Sequence, residues 1–93
     1  MAIKSFKCKP TQALFEGRSL RRWVNIERPA LRKLAQLDWS AVLDDLKVPP
    51  ENSLDALKDD RKGQHSIPIN VQWRLCFVWT HQGATDVEII DYH

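Results

Sequence analysis

Apolar residues occupy alternate positions in the C-terminal third of the chain. Ile67, Ile69, Trp73, Leu75, Phe77 and Trp79 are odd-numbered, whereas the even-numbered Ser66, Asn70, Gln72 and Arg74 are polar. A period of two marks β-strands with one buried face, because successive side chains leave a strand on opposite sides. A slip of one residue would send the whole apolar set to solvent, so the turn length matters. A two-residue turn at Asn70 and Val71 would set Ile69 against Gln72 and Ile67 against Arg74, mixing the faces. A three-residue turn of Asn70, Val71 and Gln72 keeps Ile67, Ile69, Trp73 and Leu75 on one face. The alternation therefore predicts an antiparallel pair joined by that turn, with room for a bulge, and Arg74 on the opposite face beside Pro68. A second hairpin turns within residues 80–84, where Gly83 supplies a permissive backbone, and leads into a last strand over residues 85–92.

The preceding chain reads as one strand and then helices. Residues 2–7 alternate loosely, with Ile3 and Ser5 facing one way and Lys4 and Phe6 the other. Thr11 is an N-cap for a short helix through Ala13, Leu14 and Phe15, stopped by Gly17. Trp23, Val24 and Ile26 are expected to pack inward. A second helix begins near Pro29, whose missing N–H suits a first helical turn, with Leu31, Leu34, Ala35 and Trp39 as its apolar stripe. Ser40 caps a further short piece over residues 41–46, ended by Pro49 and Pro50. Residues 49–53 form a loop and not a domain linker, because too little chain follows to build a second core. The expected architecture is α+β in a single domain over residues 1–93: an N-terminal strand, two to three helices, then a three-stranded antiparallel C-terminal sheet.

Composition removes several classes of protein. Two cysteines, Cys8 and Cys76, make neither a disulfide framework nor a metal site. No apolar stretch approaches the roughly 18 residues of a spanning helix, and no signal peptide is visible, so the cytoplasm is the expected location and no membrane partner is implied. The net charge of +2 hides an asymmetry: residues 1–33 carry nine Lys and Arg against Glu16 and Glu27, and residues 34–93 carry five basic groups against ten acidic ones. A basic half can grip a polyanion such as ribosomal RNA, or it can be a solvated helix surface.

The chain ends on Asp91, Tyr92 and His93, a carboxylate, a phenol and an imidazole. Histidine titrates near neutrality and passes protons either way, and a neighbouring Asp or Tyr can orient it. A polar tail that happens to end in His is the other reading of the triplet alone. The segment upstream adds to it. Leu54, Leu57, Lys58, Asp60, Arg61, Gly63, Ser66, Ile67, Ile69, Asn70, Gln72, Trp73 and Arg74, followed by the terminal Asp-Tyr-His, resemble the pattern L-x-x-L-K-G-D-R-x-G-x-x-S-I-R-I-N-x-Q-W-R…D-Y-H. This is the pattern of the HigB branch of the RelE/ParE toxin superfamily. Residues 3–6 and 13–16 also resemble that family, so the likeness spans most of the chain.

The resemblance implies a compact RelE-like fold and a ribosome-dependent endoribonuclease. Such a toxin cuts messenger RNA at the ribosomal A site without a metal or other cofactor. The implied partners are the ribosome and mRNA, a HigA-like helix-turn-helix antitoxin, and operator DNA only through the antitoxin complex. Such a reaction needs a base for the 2′-hydroxyl, an acid for the leaving 5′-oxygen, and cations for the crowded phosphate. Position by position, the resemblance assigns His93 as acid/base, Asp91 as its orienting partner, Arg74 as phosphate clamp and Tyr92 as a base-stacking or phosphate-bonding group. Lys58, Arg61 and Gln72 match positions expected to bind RNA, and Lys62, at a variable position of the pattern, is expected to join them because the charged loop lies close to the presumed reaction centre. The chain departs from the pattern at Asp59, where Gly is usual, at Asp55, where some relatives carry His, and at Pro68, where Arg is common. Two alternatives stay open: a weakened homologue that binds antitoxin as a co-repressor module, and a ParE-like gyrase inhibitor. The terminal triplet and the basic loop speak against the second.

Overall fold

The alternating segment pairs in the expected register. A computed structural model describes residues 1–91, so Tyr92 and His93 lie outside the described residues. In chain order the elements are α1 (Lys9–Phe15), α2 (Glu27–Trp39), β1 (Asp55–Ala56), β2 (His65–Pro68), β3 (Trp73–Thr80) and β4 (Gly83–Asp91). Single 3-10 turns at Arg21–Trp23, Leu43–Lys47, Pro50–Asn52 and Asp59–Arg61 fill the connections. The four strands form one antiparallel sheet in sequential order. Ile67 stands opposite Leu75, and Pro68 opposite Arg74. The turn between them is Asn70, Val71 and Gln72. Asn70 closes it, its Oδ1 accepting the backbone N–H groups of Gln72 and Trp73 at 2.8 Å each.

At the second hairpin Thr80 pairs with Gly83, and His81 and Gln82 make the turn. Gly83 is required twice over. Its φ is +129°, and a Cβ there would sit 2.2 Å from the Ala2 carbonyl oxygen. The close approach exists because Ala84 N–H donates to Ala2 O at 2.7 Å, tying the chain start to β4.

Two strand expectations need correction. The sheet holds four strands, not three C-terminal ones, because residues 55–56 add a two-residue edge too short to show any period. Residues 2–7 run parallel beside β4 but bridge it only at Ile3–Ala84 and Phe6–Val87. The cause lies in β4, where the β3 register slips between Cys76 and Val78 and Asp86 turns to a φ of +52°. A bulge of this kind breaks the even spacing a ladder needs. Ser5 Oγ accepts the displaced Asp86 N–H at 3.0 Å.

The helices cover the odd-numbered face of the sheet. Leu14, Trp23, Ile26, Ala30, Leu34, Leu37 and Leu46 are buried against Ile67, Ile69, Leu75, Phe77, Val87 and Ile89. The stripe of α2 is rotated from the expected one: Ala30, Leu34 and Leu37 face inward, Leu31 is half-buried, Ala35 is exposed and Trp39 is 87% exposed. Asp38 accounts for the phase, because its carbonyl accepts Ala2 N–H at 2.7 Å and its Oδ1 accepts Ile3 N–H at 3.1 Å. With Asp38 turned in, Trp39 must point out.

Local caps also differ from expectation. Thr11 lies within α1, buried, where its Oγ1 accepts the Ile89 N–H at 3.1 Å and so holds the helix to β4. Val24 is exposed. Ser40 ends α2 by donating to Gln36 O, and the following turn is capped by Asp45 Oδ2, which accepts the N–H groups of Ala41 and Val42. Among the described residues no helix is long and apolar enough to cross a membrane.

Candidate functional site

With the helices on one face, the even-numbered side chains form the other: Ser66 and Pro68 on β2, Arg74 and Cys76 on β3, Glu88 and Ile90 on β4. Arg74 lies near its hairpin end. Its Nε donates to the buried Ser66 Oγ at 2.8 Å, which fixes the plane of the guanidinium fork. Pro68, directly across from Arg74, costs the sheet nothing. Ile69 N–H donates to Trp73 O at 2.8 Å, so the Pro68 nitrogen points away from β3, and β1 ends before reaching it. A proline is tolerated where no strand is present to receive an N–H.

Beside Arg74 lies an open depression of about 520 Å³, lined by Lys33, Glu51, Pro68, Ile69, Asn70, Val71 and Arg74. Lys33 comes from α2, some forty residues earlier, so the fold sets a cation of the basic half beside the guanidinium of the acidic half. Its ammonium donates to Asn52 Oδ1. Asn52 is buried and in turn donates to the carbonyls of Leu46 and Val48, so a satisfied network positions the lysine. Neither Lys33 nor Glu51 carries a signal in the sequence, since their approach to Arg74 is purely tertiary. The fully exposed Val71 rims the depression.

The charged loop folds over the same face. Arg61 Nη1 donates to Glu88 Oε1 at 2.8 Å and to Gln64 Oε1 at 3.0 Å, and Lys7 reaches Glu88 at 3.7 Å. The Glu88 carboxylate raises the Arg61 pKa above its ordinary value. Arg61 is thus held across β2 and β3 onto β4. Cys76, in this layer and fully buried, has its thiol pushed up to about 11, chiefly by burial. Lys58 and Lys62 are exposed and make no salt bridge among the described residues.

Gln72 and Asp91 meet at the hairpin end, with Gln72 Nε2 donating to Asp91 Oδ2 at 3.1 Å. Asp91 pairs with Trp73, one residue out of phase with Arg74, whose cross-strand neighbour is Ile90. Strand alternation therefore starts the Asp91 and Arg74 side chains on opposite faces. The expected convergence of His93 with Arg74, and the placement of Tyr92, lie outside the described residues.

A helix-covered antiparallel sheet with a braced arginine on its open face defines the α+β class. Residues 4–93 match the family model described as the RelE-like toxin of type II toxin-antitoxin system HigB. The chain is also similar to Toxin HigB-1 of Vibrio cholerae serotype O1, with 37% identity over 81 residues, covering 85% of this chain and 84% of the relative. The chain belongs to the HigB-like toxin family. It is a toxin of a type II toxin–antitoxin system, and such a toxin has an antitoxin partner.

Proposed function

We propose that this toxin is an endoribonuclease that cuts messenger RNA on the ribosome in the cytoplasm. The observation that carries the reading is Arg74: a guanidinium oriented by Ser66, on the open sheet face, beside a depression that Lys33 also lines. Two cations against the single carboxylate of Glu51 at one concavity suit a phosphodiester whose charge grows as it is attacked. In the reaction, a base removes the proton of a ribose 2′-hydroxyl, whose oxygen attacks the adjacent phosphorus. The bond to the 5′-oxygen breaks, and an acid protonates that leaving oxygen. Arg74 bonds the non-bridging oxygens, and His93 acts as acid/base; Asp91, which starts on the face opposite Arg74 and accepts from Gln72, acts on the histidine from the hairpin end and not on the phosphate. Tyr92 stacks on a base or bonds a phosphate. Lys58, Lys62 and Gln72 hold the flanking RNA, with Arg61 acting on that loop from its place on Glu88. A HigA-like antitoxin neutralises the toxin and carries it to operator DNA.

The departures from the family pattern favour a second reading, in which chemistry is weak and antitoxin binding persists. Pro68 faces Arg74 where the family commonly carries a further arginine, and Arg61 is occupied by Glu88. One experiment separates the two. Wild type, Arg74→Ala and His93→Ala are induced without antitoxin, and transcript 5′ ends are mapped. Cuts in wild type that fall by about 10²–10³-fold in each variant support the nuclease. Growth arrest with intact messages, or cleavage unchanged in both variants, overturns it.

A further inference from the structure

Two kinds of tether hold the cations of this fold. Lys7 and Arg61 both close on the Glu88 carboxylate, at 3.7 and 2.8 Å, so much of their charge is cancelled where it stands. Lys33 is held differently. Its ammonium donates to Asn52 Oδ1, an acceptor without charge, and it forms no salt bridge among the described residues. A neutral acceptor fixes an ammonium in place and leaves its charge available, and of the three donors two remain for a ligand. The amide is itself set. Asn52 is fully buried, and its Nδ2 donates to Leu46 O at 3.1 Å and to Val48 O at 3.4 Å, which leaves Oδ1 for Lys33. A clip for the loop needs only those two bonds. The third reaches a half-buried lysine of another element, at the edge of the depression beside Arg74.

We propose that Lys33 is a phosphate-binding residue of the ribonuclease site, that Asn52 is its positioning residue, and that this α2 cation supplies the charge which Pro68 withholds from the sheet. Pro68 stands directly across from Arg74, starts on the same face, and lines the same depression with an uncharged ring. β1 pairs with β2 only through His65 and Ser66, so the β2 edge is open at Pro68 and a side chain from the helix layer can come in there. Arg74 from β3 and Lys33 from α2 thus border one depression. The two groups divide the work. Arg74, its plane set by Ser66, offers a fork to the non-bridging oxygens of the attacked phosphate. Lys33 adds a point charge at that phosphate, where negative charge grows in the transition state. Glu51 lines the depression as well. It is exposed and makes no salt bridge with Lys33, so it lowers the local net charge without occupying the ammonium.

This rests on the ribonuclease reading, and the experiment tells the two failures apart. Single-turnover cleavage of messenger RNA by the full toxin is timed on programmed ribosomes, and affinity for the same ribosomes is measured by sedimentation. The variants are Lys33→Gln, Lys33→Arg, Asn52→Asp, and the doubles K33Q/N52D and K33Q/P68R, with circular dichroism melts to establish folding. Glutamine keeps an N–H for Asn52 and loses the charge, so the expected result is a rate constant about 10²-fold lower with ribosome affinity as in wild type. Lys33→Arg recovers most of that loss. So does Pro68→Arg in the Lys33→Gln background, because it returns a cation to the same depression. Asn52→Asp turns the neutral acceptor into a counter-ion and slows cleavage, yet K33Q/N52D is no slower than Lys33→Gln alone. A folding defect cannot imitate the rescue by Pro68→Arg, so that arm decides if the buried Asn52 substitution fails to fold. Wild-type rate in Lys33→Gln overturns the proposal. So does a slow rate matched by an equal loss of ribosome affinity, or a K33Q/P68R rate no faster than that of Lys33→Gln. Additive losses in K33Q/N52D make Asn52 a loop clip and overturn its positioning role. Absence of cleavage by wild type sinks the ribonuclease reading itself, and this proposal with it.

Discussion

Replacing Arg61 by alanine is expected to cost stability before it costs RNA affinity. The side chain is 37% exposed and its partner Glu88 only 13%, with the two joined at 2.8 Å. A hydrogen bond to a charged group contributes about 1.5–3 kcal/mol when shielded, and an exposed ion pair about 0.2–1 kcal/mol. The half-shielded geometry puts the loss between them, at about 1–2 kcal/mol. For a domain of this size that lowers Tm by about 5–10 °C. Lys7 at 3.7 Å keeps some charge beside Glu88 in the variant, so the loss stays at the lower end. A double-mutant cycle of Arg61→Ala with Glu88→Gln, read by urea melts, should return a coupling of about 1 kcal/mol. RNA binding by the folded variant should keep the wild-type salt slope. A Tm unchanged within about 2 °C, together with a salt slope lowered by about 0.7, would refute the reasoning. That pair of results would show Arg61 contacting phosphate and not bracing the loop.

Gly83→Ala places a Cβ 2.2 Å from the Ala2 carbonyl oxygen at a φ of +129°, so the chain start must leave β4. A loss of about 3 kcal/mol or more is expected in chemical denaturation, whereas Gly17→Ala, open on all sides but at φ +99°, should cost about 1 kcal/mol. Cys76 is expected to resist alkylation at pH 8 in the folded protein while the half-exposed Cys8 reacts. Its raised pKa has a second consequence: the unfolded thiol ionises near 9.0 and the folded one near 11. The unfolded state therefore binds fewer protons between those values, and stability should fall as pH rises from about 9 to 11. Cys76→Ser should remove that slope, and its persistence in urea melts would exclude the thiol as cause.

The parts legible in the sequence were those with a local signature. The period of two around Ile67 and Trp73 specified pairing, turn length and the face of Arg74, because register and burial are the same constraint in a half-buried strand. Periodicity was less informative on α2, where the stripe through Leu31, Ala35 and Trp39 and the stripe through Ala30, Leu34 and Leu37 are nearly equally apolar. The choice between them was made by Asp38, through bonds to Ala2 and Ile3 some thirty-five residues away. Thr11 looked like a cap because Thr often is one, yet its hydroxyl answers to Ile89, seventy-eight residues on. Bonds of that span leave no pattern in a window of neighbouring residues. The same limit hid Lys33 and Asn52 from the candidate site.

The charge asymmetry of the chain acquires its meaning only once folded. Counted along the sequence, the basic half suggests a broad polyanion surface and the acidic half a region that repels it. In space the halves interleave. Lys7 from the basic half and Arg61 from the acidic half both turn to Glu88, so neither adds a full positive charge to the open sheet face. Lys33 moves the other way, crossing to the depression that Arg74 lines. The exposed Arg28 and Arg32 stay on α2 outside the lining of that depression. A polyanion approaching the sheet therefore meets a small patch around Arg74 and Lys33, extended by Lys58 and Lys62, instead of a continuous band. Such a patch is suited to engaging one stretch of RNA presented by a larger partner, because few phosphate contacts give weak affinity for free RNA and strong dependence on where the strand is held.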